Sequence, residues 1–73
     1  MITPADVGRR VDDGTGRVGV LREVMRDYED PAEPPLRRRK RAVAFLRPED
    51  GGKEWIVPLE DVTRAEGADT GGR

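Results

Sequence analysis

Three adjacent carboxylate pairs, Asp12-Asp13, Glu49-Asp50 and Glu60-Asp61, are the residues of this chain whose type best suits chemistry. Paired acids can move protons or hold a hard cation through their oxygens. Each pair here falls in a stretch with turn chemistry, where Asp and Glu are ordinary, and no spacing matches an EF-hand loop. The usual accompanying groups are missing. The chain has no His, no Cys and no Ser. That removes the side chain best suited to proton transfer near neutral pH, the thiolate ligands and the commonest nucleophiles. Gly14-Thr15-Gly16 and Gly51-Gly52 are turn glycines; no Gly-Lys-Ser/Thr follows them, so no phosphate loop is indicated. The residues predict a protein that binds and is not an enzyme, with no metal and no cofactor.

Two features could do the binding. Arg37-Arg38-Arg39-Lys40-Arg41 is the densest charge run. It could neutralise phosphates of RNA or DNA, with affinity that falls as salt rises. It could equally be a solvated strand edge, balanced by Glu23, Asp27, Glu29, Asp30 and Glu33 across a hairpin, or meet an acidic protein. The second feature is aromatic. Trp55 is the only tryptophan. Neighbours in a strand point oppositely, so Trp55 and Val57 make a better inward pair than Glu54 and Ile56. The alternative is a half-exposed Trp55 that joins Tyr28 and Phe45 in a contact surface, as aromatic anchors do at interfaces. The expected partner-binding set is Trp55 and Tyr28, flanked by Arg47 and Lys53.

The elements that position these residues are short. Thr3-Pro4-Ala5-Asp6 reads as one helical turn, with Thr3 as N-cap, Pro4 at the first position and Asp6 near free N–H groups. A first strand is expected from Arg9 to Asp12, then a turn over Asp13-Gly14-Thr15-Gly16. The second strand runs from Arg17 to about Met25. Val18 and Val20 alternate with their neighbours, whereas Leu21, Val24 and Met25 break the period of two, which predicts a bulge near Leu21-Arg22. Gly19 inside a strand predicts a bend or a close approach of another group. Residues 27–36, with Pro31, Pro34 and Pro35, are expected to form a long loop. The third strand is about Arg39 to Arg47, with Val43 and Phe45 on one face and Ala42, Ala44 and Leu46 on the other. Pro48 to Gly52 is a hairpin loop, Lys53 to Val57 a fourth strand, Leu59-Glu60-Asp61 a 3₁₀ turn and Val62 to Ala65 a brief fifth strand.

This order predicts an all-β domain, a small five-stranded SH3-like barrel with a 3₁₀ turn before the last strand. Closure of the sheet would remove most exposed edges. Three segments carry a resemblance to a known family. They are Val7-Gly8-Arg9-Arg10-Val11 followed by Asp12-Asp13-Gly14, then Gly16-Arg17-Val18-Gly19-Val20-Leu21-Arg22-Glu23-Val24, and Ile56-Val57-Pro58-Leu59-Glu60-Asp61-Val62-Thr63-Arg64. Their wording resembles the PRC-barrel family within the SH3-like superfold. The resemblance implies an accessory barrel that makes protein or RNA contacts, as in ribosome maturation or photosynthetic reaction-centre assembly. No single activity transfers with such a fold.

Charged residues are 40% of the chain and hydrophobic ones 34%, but the net charge is only −1. The β-rich apolar runs therefore favour a folded domain over residues 1–66 with a disordered tail at 67–73. No apolar run reaches the roughly 20 residues that span a bilayer, and Met1 to Asp6 lacks the features of a signal peptide. A cytoplasmic protein with no membrane contact is expected, monomeric or a weak homodimer through an open edge of the second or third strand. The partner is expected to be another protein, with nucleic acid as the alternative.

Overall fold

The computed structural model describes residues 2–65. The tail expected at 67–73 lies outside the described residues. Thr3 caps the first turn, which is 3₁₀ over Pro4–Asp6. The Thr3 hydroxyl accepts from the Ala5 N–H at 3.2 Å, and the Thr3 N–H donates to the Asp6 carboxylate at 3.0 Å. This is a reciprocal capping box on the helical turn expected here, which takes the tight 3₁₀ form.

Five strands follow: β1 Arg10–Asp12, β2 Val18–Tyr28, β3 Arg41–Arg47, β4 Trp55–Pro58 and β5 Thr63–Arg64. They form one antiparallel sheet in the order β4-β3-β2-β1-β5. The all-β expectation holds, and Leu59–Asp61 forms the 3₁₀ turn before the last strand. The edge strands β4 and β5 are not hydrogen-bonded to each other, so the sheet is open.

β2 organises the molecule. Leu21 lies opposite Leu46 and Glu23 opposite Phe45, so Arg22 is an extra residue on β2. That bulge moves the inward phase from Gly19 and Leu21 to Val24, which faces Ala44. It accounts for the broken alternation in the sequence. A second shift between Met25 and Tyr28 carries β2 three residues beyond the expected end at Met25. The expected loop 27–36 is accordingly displaced. Tyr28 belongs to β2, and the connection contains a 3₁₀ turn at Pro35–Arg37 before β3 begins at Arg41 instead of Arg39. Prolines 34 and 35 are compatible with that turn because a helix start needs no N–H from them. The β2–β3 hairpin extends as an arm beyond the last residues paired with β1 and β4, to the pair Tyr28 and Arg41 and the connection between them.

One face of the sheet holds the core: Ile2, Val11, Leu21, Ala44, Leu46, Leu59 and Val62, with Val24, Trp55 and Val57 packed against it. The open edge expected for a homodimer is narrower than supposed. β3 lies between β2 and β4 from Val43 to Leu46, and β1 pairs with β2 only from Val18 to Val20; from Glu23 to Tyr28, β2 is paired with β3 alone.

Candidate functional site

Trp55 opens β4 opposite Leu46 and lies on the core face. Gly19 makes room for it: a Cβ there would lie 2.6 Å from Trp55 Cη2 and 2.8 Å from the Arg47 carbonyl oxygen. The indole N–H donates to Asp13 Oδ2 at 3.1 Å, and the Arg17 guanidinium sits 3.6 Å from a ring centroid. The ring thus ties the start of β4 to the β1–β2 turn across the intervening strands. Its polar edge and one π-face are already engaged, which suits a packing role. Asp13 is buried. The Thr15 hydroxyl and N–H, donating to Asp13 Oδ1 at 2.7 and 2.8 Å, hold its carboxyl below the usual carboxylate range, and the Trp55 N–H on Oδ2 adds to this. A comparable lock closes the N-terminal end. Arg64 grips Asp6 through two hydrogen bonds of 2.9 and 3.0 Å; this contact, with the Thr3 N–H, lowers the Asp6 carboxyl.

Tyr28 is elsewhere. It lies opposite Arg41, at the far end of β3 from Trp55. Its ring meets Phe45 edge to face, 5.7 Å between centroids. Phe45 stands directly opposite Ile56, and Val43 opposite Met25 and Pro58, all on the side of the sheet away from the core. The result is a second apolar face. Val43 is 6% exposed although it is not in the main core, while Ile56 is 44% exposed. An open groove of about 360 Å³ lies at the arm end of β3 and β4, lined by Tyr28, Asp30, Arg41, Val43, Ile56 and Pro58 and, from the positions that alternate with them, Ala42 and Val57. The aromatic surface expected from Trp55, Tyr28 and Phe45 together is therefore divided: Tyr28 and Phe45 meet, and Trp55 belongs to the opposite face. Arg47 and Lys53 are both exposed, at the end of β3 and in the β3–β4 loop.

The basic run lines the tip of the arm. Arg38 is structural: its guanidinium donates to the Glu33 carbonyl at 2.9 Å and to the Pro31 carbonyl at 3.1 Å. Arg37, Arg39, Lys40 and Arg41 are exposed, and among the described residues no ion pair joins them to the acids of the hairpin. Arginines of the body are engaged by contrast. Arg10 pairs with Glu49 at 2.8 Å, and Arg22 pairs with Glu54. Leu36, at the same tip, is 100% exposed. Between residues 26 and 41, six basic side chains outnumber four acidic ones, so the arm is net positive in a chain of charge −1.

Sequence reasoning missed Ile56, Pro58 and Leu36 as surface features. A signal for the first was present, because placing Trp55 and Val57 inward turns Ile56 outward, beside the second apolar face of the third strand. Nothing in the sequence marked Arg17 as the cover of Trp55. Among the described residues, no group of three His, Cys, Asp or Glu is arranged to hold a metal ion, and no helix is long and apolar enough to cross a membrane. Comparison of the chain with protein-family models, curated proteins and solved structures finds no match.

Proposed function

We propose that this chain is a non-catalytic interaction domain whose β2–β3 arm docks another protein. The observation that carries the reading is the coincidence of a largely apolar groove lined by Tyr28, Val43 and Ile56 with basic side chains at the arm tip that no ion pair among the described residues engages. Interfaces combine an apolar centre and aromatic anchors with a charged rim. Arg47 and Lys53 extend that charge at the other end of β3 and in the loop before β4. The SH3-like and PRC-barrel-like reading of the fold belongs here too. It is supported by the strand order β4-β3-β2-β1-β5, a bulged β2 shared by both halves of the sheet and a 3₁₀ turn before β5. An accessory role in the cytoplasm completes the reading.

The test is differential capture from native lysate. Tyr28→Ala and Ile56→Glu alter the groove, while Val7→Ser alters an exposed apolar residue outside the arm. The reading expects a protein retained by wild type and by Val7→Ser but lost with both groove variants. An identical set retained by all four chains contradicts it.

A second reading, RNA or DNA binding through Arg37, Arg39, Lys40 and Arg41, is favoured by the absence of ion pairs at those residues among the described residues. Its test is a salt-titrated assay with generic single- and double-stranded nucleic acids. Binding lost in Arg37→Ala/Arg39→Ala/Lys40→Ala supports it, and no binding at low salt excludes it. Arg38 is omitted because its removal would disturb the loop.

A further inference from the structure

We infer that the partner segment taken by the arm is an extended acidic peptide with apolar side chains at alternate positions. This rests on the docking reading and names the chemistry of its ligand. Two independent features of the arm select it. The groove is flanked at its tip end by Arg41, and beyond it stand Arg39, Lys40 and Arg37, whose charge no acid of the described residues pairs. Within the groove Asp30 offsets Arg41, but across residues 26–41 six basic side chains outnumber four acidic ones. Carboxylates of a ligand that reaches the arm tip would therefore meet net positive charge, and basic ligands would be disfavoured there. Most of the remaining lining is apolar: Ala42, Val43, Ile56, Val57 and Pro58, with Tyr28. Leu36, fully exposed at the tip, adds an apolar contact beyond the groove.

A short extended ligand fits this arrangement better than a helix does. In an extended peptide, successive side chains point to opposite sides and alternate ones lie about 7 Å apart. One side then contacts the apolar lining, and where the peptide runs past Arg41 its acids come within reach of Arg37, Arg39 and Lys40. Nucleic acid could use the basic tip but has no aliphatic groups for the apolar lining, so the two ligand classes separate experimentally.

The experiment is fluorescence anisotropy with the full chain. The probe is a fluorescein-labelled ten-residue peptide of alternating Glu and Leu. Controls replace every Glu by Lys, or every Leu by Ser, and a labelled ten-nucleotide uridine oligomer tests the other ligand class. The Glu–Leu probe is expected to bind at least ten-fold tighter than either control peptide. Arg39→Glu/Lys40→Glu and Ile56→Glu should each weaken it about ten-fold, with unchanged circular dichroism. Equal binding of the Lys–Leu peptide, or tighter binding of the oligomer, overturns the inference. If lysate capture depends on Tyr28 and Ile56 but the Glu–Leu probe neither binds nor competes, the acidic-segment inference fails and the docking reading survives. If the captured set is also indifferent to the groove variants, both fail.

Discussion

Gly19→Ala tests whether Trp55 is a packed structural residue. The added Cβ would lie 2.6 Å from Trp55 Cη2 and 2.8 Å from the Arg47 carbonyl oxygen. The second contact is with backbone, so a rotamer change of Trp55 alone cannot relieve the crowding. Overpacking of this kind costs about 1–3 kcal/mol. Restriction of the unfolded chain by Ala offsets about 0.4–1 kcal/mol of that. A net loss of about 1–2 kcal/mol is a large part of the roughly 4–11 kcal/mol expected for a domain of this length. It corresponds to a fall in Tm of roughly 5–15 °C. Thermal melts followed by far-UV circular dichroism and by the single tryptophan read the effect directly. Trp55→Phe removes the ring atoms nearest Gly19. The double variant should therefore be at least about 0.5 kcal/mol more stable than the sum of the single losses implies. A Gly19→Ala protein that melts at or above the wild-type temperature would refute the packing argument.

Further outcomes follow from the same geometry. Trp55→Phe alone, which loses the indole N–H bond to Asp13, should lower stability by about 1–2 kcal/mol in urea titrations while leaving capture by the arm unchanged. The depressed carboxyls of Asp6 and Asp13 stabilise the fold above the ordinary carboxylate value of 3.8, and that contribution is lost as pH falls through their lower folded values. Urea midpoints measured from pH 6 down to pH 2 should drop below about pH 4, with a shallower drop in Asp6→Asn; a flat profile would contradict the assignment. Arg38→Ala should speed amide exchange across residues 31–37 without a change in global unfolding, whereas Arg39→Ala should do neither. Equal protection in both variants would remove Arg38 from its structural role.

The core face was readable because physics fixes it locally. The phase break after Leu21 and the apolar Ala44 and Leu46 pointed to β2, its bulge and β3, and of the bend or close approach that Gly19 allowed, the structure shows the close approach of Trp55. The capping of Thr3 by Asp6 was equally local, although its 3₁₀ geometry was not. The arm was harder. Prolines 31, 34 and 35 marked an irregular segment, but the strand continues to Tyr28 because pairing with Arg41 and packing on Phe45 outweigh the polar residues around it. The aromatic surface was misassembled for a related reason. Trp55 and Tyr28 are both half-buried, and the register, with its shift between Met25 and Tyr28, places them on opposite faces. Charge pairing across the hairpin also depended on side-chain reach that composition does not encode. Glu23, Asp27, Glu29 and Glu33 share the hairpin with the basic run without forming ion pairs to it among the described residues.

The claim that the arm is the docking element is tested most directly by amide shift mapping. A ¹⁵N-labelled chain is titrated with the protein recovered in the capture experiment. The account predicts shifts concentrated at Tyr28, Arg41, Val43, Phe45 and Ile56, with Asp13, Arg17 and Trp55 little changed. Shifts centred on Asp13, Arg17 and Trp55, with the arm silent, would contradict it.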